Sequence, residues 1–107
     1  METTIRPKNF KLAPDIEEQI RKRVERLTHH LENLSTAEVL VSQQPARQTT
    51  NKFQYVTQVT LYTLRGDIIR SEVSHPELLN AIDQAMSHLD RQIERFRARY
   101  EKRRKGA

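Results

Sequence analysis

Basic side chains recur at helical spacing near the carboxyl end of this chain. Residues 91–105 hold eight Lys or Arg against two Glu, so this segment carries +6 in a chain of net charge +5. At about 100° per residue, one set of side chains falls within an arc of about 80° on a helix: His88, Arg91, Arg95, Arg99 and Lys102. Because a guanidinium group is a planar fork of donors that matches phosphate oxygens, this spacing indicates a polyanion-binding surface. A solvated helix end is the alternative interpretation.

Composition favours a nucleic acid as the polyanion. The 107 residues suit one domain, and an isoelectric point near 9.9 favours nucleic acid over an acidic membrane surface. The amino terminus lacks the apolar region of a signal peptide, and no apolar run approaches the roughly 20 residues of a membrane span. We therefore expect a soluble cytoplasmic protein with no membrane partner. Since no aromatic side chains are displayed beside the basic ones on the helix face, contacts should be led by phosphates and shape, as with structured RNA.

The residue types that usually carry catalysis or bind metal are scarce. There is no Cys, and the four His are scattered along the chain. Ser74 and His75 are adjacent, but no nucleophile elbow or orienting acid accompanies them. With only two Gly, the chain has no glycine-rich phosphate loop. The sequence therefore predicts no enzymatic activity, no cofactor, no metal site and no small-molecule substrate.

A strand and a helix open the chain. Ile5 lies in a short alternating segment, and Pro7 predicts a position at the sheet edge because proline cannot donate a ladder hydrogen bond. Apolar residues then recur at spacings of three and four, which predicts an amphipathic helix: Ile16, Ile20, Val24, Leu27, Leu31 and Leu34. Lys22 and Arg26 project roughly opposite this apolar stripe, and Arg23 lies on its flank.

Three strands are predicted next. AEVLVSQ is β-branched, and residues 44–52 form a polar loop before FQYVTQVTLYTL, which alternates. In the latter segment the residues expected to face the core are Phe53, Tyr55, Val59 and Leu61. The turn RGD offers Gly66 for a positive φ, and IIRSEVS returns with Ile69, Ser71 and Val73 inward.

A long second helix ends the chain. Its apolar stripe also alternates at three and four, and it indicates one packing face rather than a coiled-coil seam: Leu79, Ile82, Met86, Leu89, Ile93, Phe96 and Tyr100. Arg97 lies on the far side of the helix from the basic arc, near the edge of this stripe. The order β-α-β-β-β-α predicts an α+β two-layer sandwich, a four-stranded sheet with both helices on one face. The first two strands are expected to run parallel, because a helix connects them.

Two stretches of this chain resemble a known protein family. They are PKNFKLAPDIEEQIRKRVERL, residues 7–27, and IIRSEVSHPELLNAIDQAMSHLDRQIERFRAR, residues 68–99. The most specific part is NAID, followed eight residues after its Asp by RQ and then by a basic helix end. These segments are similar to the ribosome hibernation promoting factors and ribosome-associated inhibitors, once called sigma-54 modulation proteins.

The resemblance implies a fold similar to a double-stranded-RNA-binding domain. It also implies binding to the small subunit and its rRNA within the 70S ribosome, in the channel for messenger RNA and A- and P-site transfer RNA. Translation would then be inhibited under stress, as in ribosome hibernation. The family's RNA-binding positions map onto Lys8, Arg23, Arg26, Arg91, Gln92, Arg95, Arg97 and Arg99, while His88 stands where members usually have Lys. Lys22 and Lys102 join this set through their helical positions.

The sequence also departs from the family. Residues 44–52 are expected to form a longer loop than in short members, and within residues 1–107 we expect neither an acidic tail nor a second, dimerising domain. We expect a single ribosome-binding domain over residues 1–107, with residues 101–107 a basic frayed tail, as a short-type factor or the N-terminal domain of a long type. Two other functions stay open: a general double-stranded-RNA-binding domain, and a protein-interaction module that regulates transcription.

Overall fold

The fold is a four-stranded mixed sheet with two helices on one face, as the sequence predicts. It is seen in a computed structural model that describes residues 2–29, 31, 34–45 and 53–105, with side chains up to residue 99. The elements follow the order β1 (Glu2–Lys8), α1 (Pro14–Thr28), β2 (Leu34–Pro45), β3 (Phe53–Thr63), β4 (Ile68–His75) and α2 (Leu78–Lys105).

The strands lie side by side in chain order. β1 pairs with β2 in parallel, and β2, β3 and β4 pair antiparallel. β1 is therefore an edge strand, which confirms the position predicted from Pro7. The turn between β3 and β4 places Gly66 at a φ of 92°, a conformation that glycine adopts without a steric cost.

One face of the sheet carries the hydrophobic core. Alternate strand residues point to this face, and the register aligns Ile5 with Val39, Val39 with Val59, and Val59 with Ser71. Both helices pack on it, and their fully buried side chains include Ile20, Val24, Met86 and Leu89. The opposite face of the sheet has no helix against it in the described part of the chain, and polar residues dominate it.

The first helix is shorter than its apolar pattern predicts. The extension of the stripe through Leu31 and Leu34 is wrong, since α1 ends at Thr28 and Leu34 begins β2 opposite Thr63. The Thr28 hydroxyl donates a 2.6 Å hydrogen bond to the carbonyl of Val24, and the Leu31 amide donates to the carbonyl of Thr28. Leu34 still packs against the core, but it does so from a strand whose backbone is paired with β3.

Two apolar residues predicted for the core lie at the surface. Leu79 is 56% exposed and Phe53 is 50% exposed, although both match the periodicity of their elements. Leu78 packs against the core in place of Leu79, because α2 begins there and Ala81 and Ala85 face the sheet. Phe53 is the first residue of β3 and pairs with Pro45, the last residue of β2, so it lies at the end of the sheet.

The second helix extends beyond the body of the domain. Its 28 residues span about 42 Å at 1.5 Å per residue, and the molecule measures 53 × 28 × 19 Å. The radius of gyration of 15.1 Å exceeds the value of about 13 Å typical of a compact chain of this length. The backbone of α2 is helical through Lys105, so its carboxyl-terminal turns project past the sheet. Among the described residues no helix is long and apolar enough to cross a membrane.

Candidate nucleic-acid interface

The outer face of α2 presents a row of arginines. Arg91, Arg95 and Arg99 follow one another at spacings of four, and all three are exposed. Arg97 is exposed as well, on the other side of the helix. Within the described part of the chain, none of these four guanidinium groups has a hydrogen-bond or ion-pair partner. Their donors are therefore available to an external acceptor, and we call Arg91, Arg95 and Arg99 the arginine row.

The inner face of α2 holds the row in a fixed place. Ala85, Met86, Leu89 and Ile93 are buried against β3 and β4, so the helix cannot turn without exposing them. Each buried aliphatic side chain contributes about 1.5–3 kcal/mol relative to an exposed one. The backbone that carries the arginine row is thus already ordered by packing. Little further ordering of the backbone is needed when a phosphate binds.

His88 lies at the flank of the row, on the side that faces β4. Its Nδ1 is 3.1 Å from the hydroxyl oxygen of Ser71, and its Nε2 is 3.3 Å from the amide nitrogen of Gln92. The Ser71 hydroxyl also donates to the carbonyl of Ala85 at 2.8 Å. Sequence reasoning placed Ser71 in the core but missed its part in this chain of contacts. Its inward position in a strand was the only signal.

Lys22 and Arg26 lie on the outer face of α1, as predicted. Both are exposed, and they line a shallow open groove together with Glu25 and His29. Neither Lys22 nor Arg26 has an ion-pair partner among the described residues. These two cations form a second basic patch, separate from the arginine row.

Arg23 occupies a different environment from its predicted neighbours. Its guanidinium group forms an ion pair with Asp83, which joins α1 to α2. On the α2 wheel Asp83, Asp90 and Glu94 lie within about 40° of one another, and the Arg23 pair shows that this side faces α1. All three carboxylates are exposed. An acidic strip therefore separates the arginine row from the basic patch on α1, and Arg23 is already engaged with that strip.

The Arg23–Asp83 pair should stabilise the contact between the helices. Both side chains are more than one-third exposed, so we expect a coupling free energy of only about 0.2–1 kcal/mol in a double-mutant cycle. The cycle combines Arg23→Gln with Asp83→Asn, and urea unfolding measures the stability of each variant. As the control, Arg23→Gln is combined with Asp90→Asn, which makes the same charge change on the same side of α2. Equal coupling in the two cycles would contradict a specific pair.

Lys8 is remote from both helical patches. It ends β1 with its side chain on the open face of the sheet, where it lines a shallow depression with Leu40, Gln58 and Glu72. Strand alternation explains this, because Ile5 faces the core and Lys8 lies three residues further on. The fold thus brings Arg91, Arg95 and Arg99 together with His88 and Gln92, and it leaves Arg97 on the other side of α2. It places Lys22 and Arg26 apart from them and puts Lys8 on the opposite layer. The predicted site residue Lys102 has a helical backbone, but its side chain lies outside the described part.

The part of the chain that the structure describes contains no candidate metal site. No group of three or more His, Cys, Asp or Glu side chains is placed to hold a metal ion there. The described residues instead present an arginine-rich helix that packs on a mixed β-sheet. Such an arrangement is typical of small domains that bind structured nucleic acid.

Comparison of this sequence with known protein families identifies the family to which the chain belongs. Residues 3–101 match the family described as Sigma 54 modulation protein / S30EA ribosomal protein. This match spans nearly the whole chain, so the protein belongs to that family, as its sequence motifs predict.

Two curated relatives carry names from the same field. A ribosome hibernation promotion factor from Deinococcus radiodurans is 27% identical over 97 residues, which cover 91% of this chain and 49% of the relative. This chain therefore spans about half the length of that relative. A ribosome hibernation promoting factor from Acinetobacter guillouiae is 27% identical over 100 residues, which cover 91% of this chain and 88% of that protein.

Solved structures share the fold. A ribosomal subunit interface protein from Coxiella burnetii superposes with a TM-score of 0.75 at 15% identity, covering 92% of this chain and 99% of the other. The N-terminal domain of Protein Y from Thermus thermophilus gives a TM-score of 0.63 at 26% identity, covering 87% and 94%. The β-α-β-β-β-α order and the mixed sheet are thus shared by this chain and these two structures.

Proposed function

We propose that this protein is a non-enzymatic ribosome-associated factor that binds ribosomal RNA through the arginine row. The observation that carries the proposal is the set of exposed, unpaired guanidinium groups on a helix held by a buried face. Membership of the S30EA ribosomal protein family and relatives named as hibernation factors support the ribosome as the partner. Lys22 and Arg26 supply a second set of phosphate contacts across the acidic strip.

The finer proposal concerns the place on the ribosome. The family resemblance implies the small subunit, in the channel that messenger RNA and the A- and P-site transfer RNAs use. A folded domain 53 Å long and 28 Å wide that occupies this channel would exclude those RNAs by its volume. Binding in this channel would inhibit translation. The protein would then act in the cytoplasm, under stress conditions in which ribosomes are idle.

Co-sedimentation with ribosomes tests this proposal. We expect the purified protein to travel with the small subunit and with 70S ribosomes on a sucrose gradient, and excess initiator transfer RNA to displace it. A protein that stays at the top of the gradient would contradict the proposal. Binding to free RNA hairpins as tightly as to ribosomes would favour a general double-stranded-RNA-binding domain instead.

Salt dependence separates phosphate recognition from protein docking. With about four to eight phosphate contacts, the logarithm of the association constant should fall against the logarithm of salt concentration with a slope of about −0.7 to −0.9 per contact. Titration of labelled protein with ribosomes between low and near-physiological salt measures this slope. A flat dependence, with binding retained after nuclease treatment, would favour a protein-interaction module.

A further inference from the structure

The contacts of Ser71 indicate that Nδ1 of His88 carries a hydrogen. The Ser71 hydroxyl lies 2.8 Å from the carbonyl oxygen of Ala85, and only the hydroxyl of this pair of oxygens has a hydrogen to donate. That single hydrogen is therefore used. The contact of 3.1 Å between the Ser71 oxygen and His88 Nδ1 then requires Nδ1 to be the donor. Ser71 is 1% exposed, so its hydroxyl is shielded from solvent.

The state of His88 in turn orients the Gln92 amide. In the neutral ring with hydrogen on Nδ1, Nε2 is an acceptor. Gln92 must therefore direct its NH₂ group toward His88, across the 3.3 Å contact between the two Nε2 atoms. The other end of the amide, Oε1, has no hydrogen-bond partner among the described residues. This oxygen is not buried without a partner. Among the described residues, the side-chain atom in that situation is the hydroxyl oxygen of Thr57.

Gln92 lies beside the arginine row. It follows Arg91 in the chain, precedes Arg95 by three positions, and projects about 40° from His88 on the helix wheel. The arginine row consists of donors only, which phosphates satisfy equally in RNA and DNA. An acceptor at the flank of the row offers nothing to a phosphate. It does match a donor hydrogen beside the phosphates, and in RNA the ribose 2′-hydroxyl carries one.

We propose that Gln92 is a specificity residue that accepts a hydrogen bond from a ribose 2′-hydroxyl, with Ser71 and His88 as the positioning residues that turn its amide oxygen outward. This inference rests on the proposed binding of RNA by the arginine row and adds a reason for choosing RNA. Arg91, Arg95 and Arg99 supply affinity, and Gln92 supplies discrimination.

A pair of duplexes that differ only in the donor hydrogen provides the test. One is a short RNA duplex, and the other is the same sequence with 2′-fluoro groups, which keep the A-form and the phosphates but cannot donate. Fluorescence anisotropy at low salt measures both affinities. We expect the protein to bind the RNA duplex about two- to tenfold more tightly, as for one hydrogen bond. The Gln92→Leu variant should bind both duplexes equally, at the affinity of the unchanged protein for the fluoro duplex.

Two further variants separate the parts of the proposal. Gln84→Leu makes the same change on an exposed residue of the same helix, and it should leave the discrimination unchanged. Ser71→Ala removes the acceptor for His88 Nδ1, and it should reduce the discrimination without lowering the affinity for the fluoro duplex. A melting curve for each variant verifies that it is folded.

The outcomes distinguish this inference from the proposed function. If the protein binds both duplexes equally well, RNA contact stands but the role of Gln92 is overturned. Loss of discrimination in Gln84→Leu, or its retention in Gln92→Leu, also overturns that role. If an RNA duplex and a DNA duplex of the same sequence bind equally, the 2′-hydroxyl is not recognised, and the assignment is again wrong. Failure to bind any free duplex would overturn the inference, whereas the proposed function would still stand if the protein co-sediments with ribosomes.

Discussion

Changing Arg91, Arg95 and Arg99 together to glutamate is expected to abolish binding to ribosomes and to leave the fold intact. Each of these side chains is exposed and unpaired, so each has its donors free for phosphate. A hydrogen bond to a charged group contributes about 1.5–3 kcal/mol, and the loss of three should lower the affinity by about 1,000-fold or more. Repulsion between the new carboxylates and phosphates adds to this loss. Titration with ribosomes at fixed salt measures the change.

A matched triple variant controls for net charge. Arg6, Arg65 and Arg70 are also exposed arginines, but they lie on β1, in the β3–β4 turn and on β4. Their change to glutamate alters the net charge by the same amount, and we expect the affinity to fall by less than about tenfold at near-physiological salt, where charges more than about 8 Å apart are screened. Equal losses in the two variants would show that overall charge, rather than the arginine row, governs binding. Unfolding of the first variant would show that these arginines support the core.

Leu89→Ala should produce the largest loss of stability among single changes in α2. Leu89 is fully buried between the helix and the sheet, with none of its side chain exposed. Removing a buried leucine side chain costs about 2–5 kcal/mol, a large part of the 5–15 kcal/mol that typically stabilises a domain. We expect the melting temperature to fall by at least about 8 °C. Thermal and urea unfolding followed by circular dichroism measure both quantities.

Leu79→Ala is the control for this prediction. It makes the same chemical change ten positions earlier in the same helix, but Leu79 is 56% exposed. Exposed substitutions of this kind usually change stability by less than about 0.5 kcal/mol. A loss for Leu79→Ala as large as that for Leu89→Ala would mean that α2 is rotated from the orientation described. In that orientation Leu79 would lie in the core, as its helical spacing predicts.

Much of the fold could be predicted because its signals are local. Strand alternation identified Val59, Leu61, Ile69 and Ser71 as inward-facing, since side chains of an extended chain point to opposite sides in turn. Pro7 at the edge and Gly66 at a positive φ follow from the geometry of single residues. The predicted end of α1 is wrong because Leu34 fits the helical spacing by its position in the sequence but belongs to β2. Only pairing with β3 decides between the two.

The candidate site also has features that follow from the sequence and features that depend on tertiary contacts. The positions of Arg91, Arg95 and Arg99 on one helical face depend on the helix repeat alone, so the basic row follows from sequence. The role of Arg23 does not, because its partner Asp83 is 60 positions away in the chain. The orientation of Gln92 depends on His88 and, 17 positions before His88, on Ser71 in another element.

Sequence therefore determined which residues share a helical face, which alternate along a strand, and where the positive charge accumulates. All of these depend on the repeat of one element. Tertiary structure decided that Lys8 lies on the open layer, that Leu78 rather than Leu79 is packed, and that an acidic strip divides the basic surface. These features depend on which faces meet when elements pack together. Side chains distant in the chain become neighbours only when the core excludes water, and no local pattern records which of them will meet.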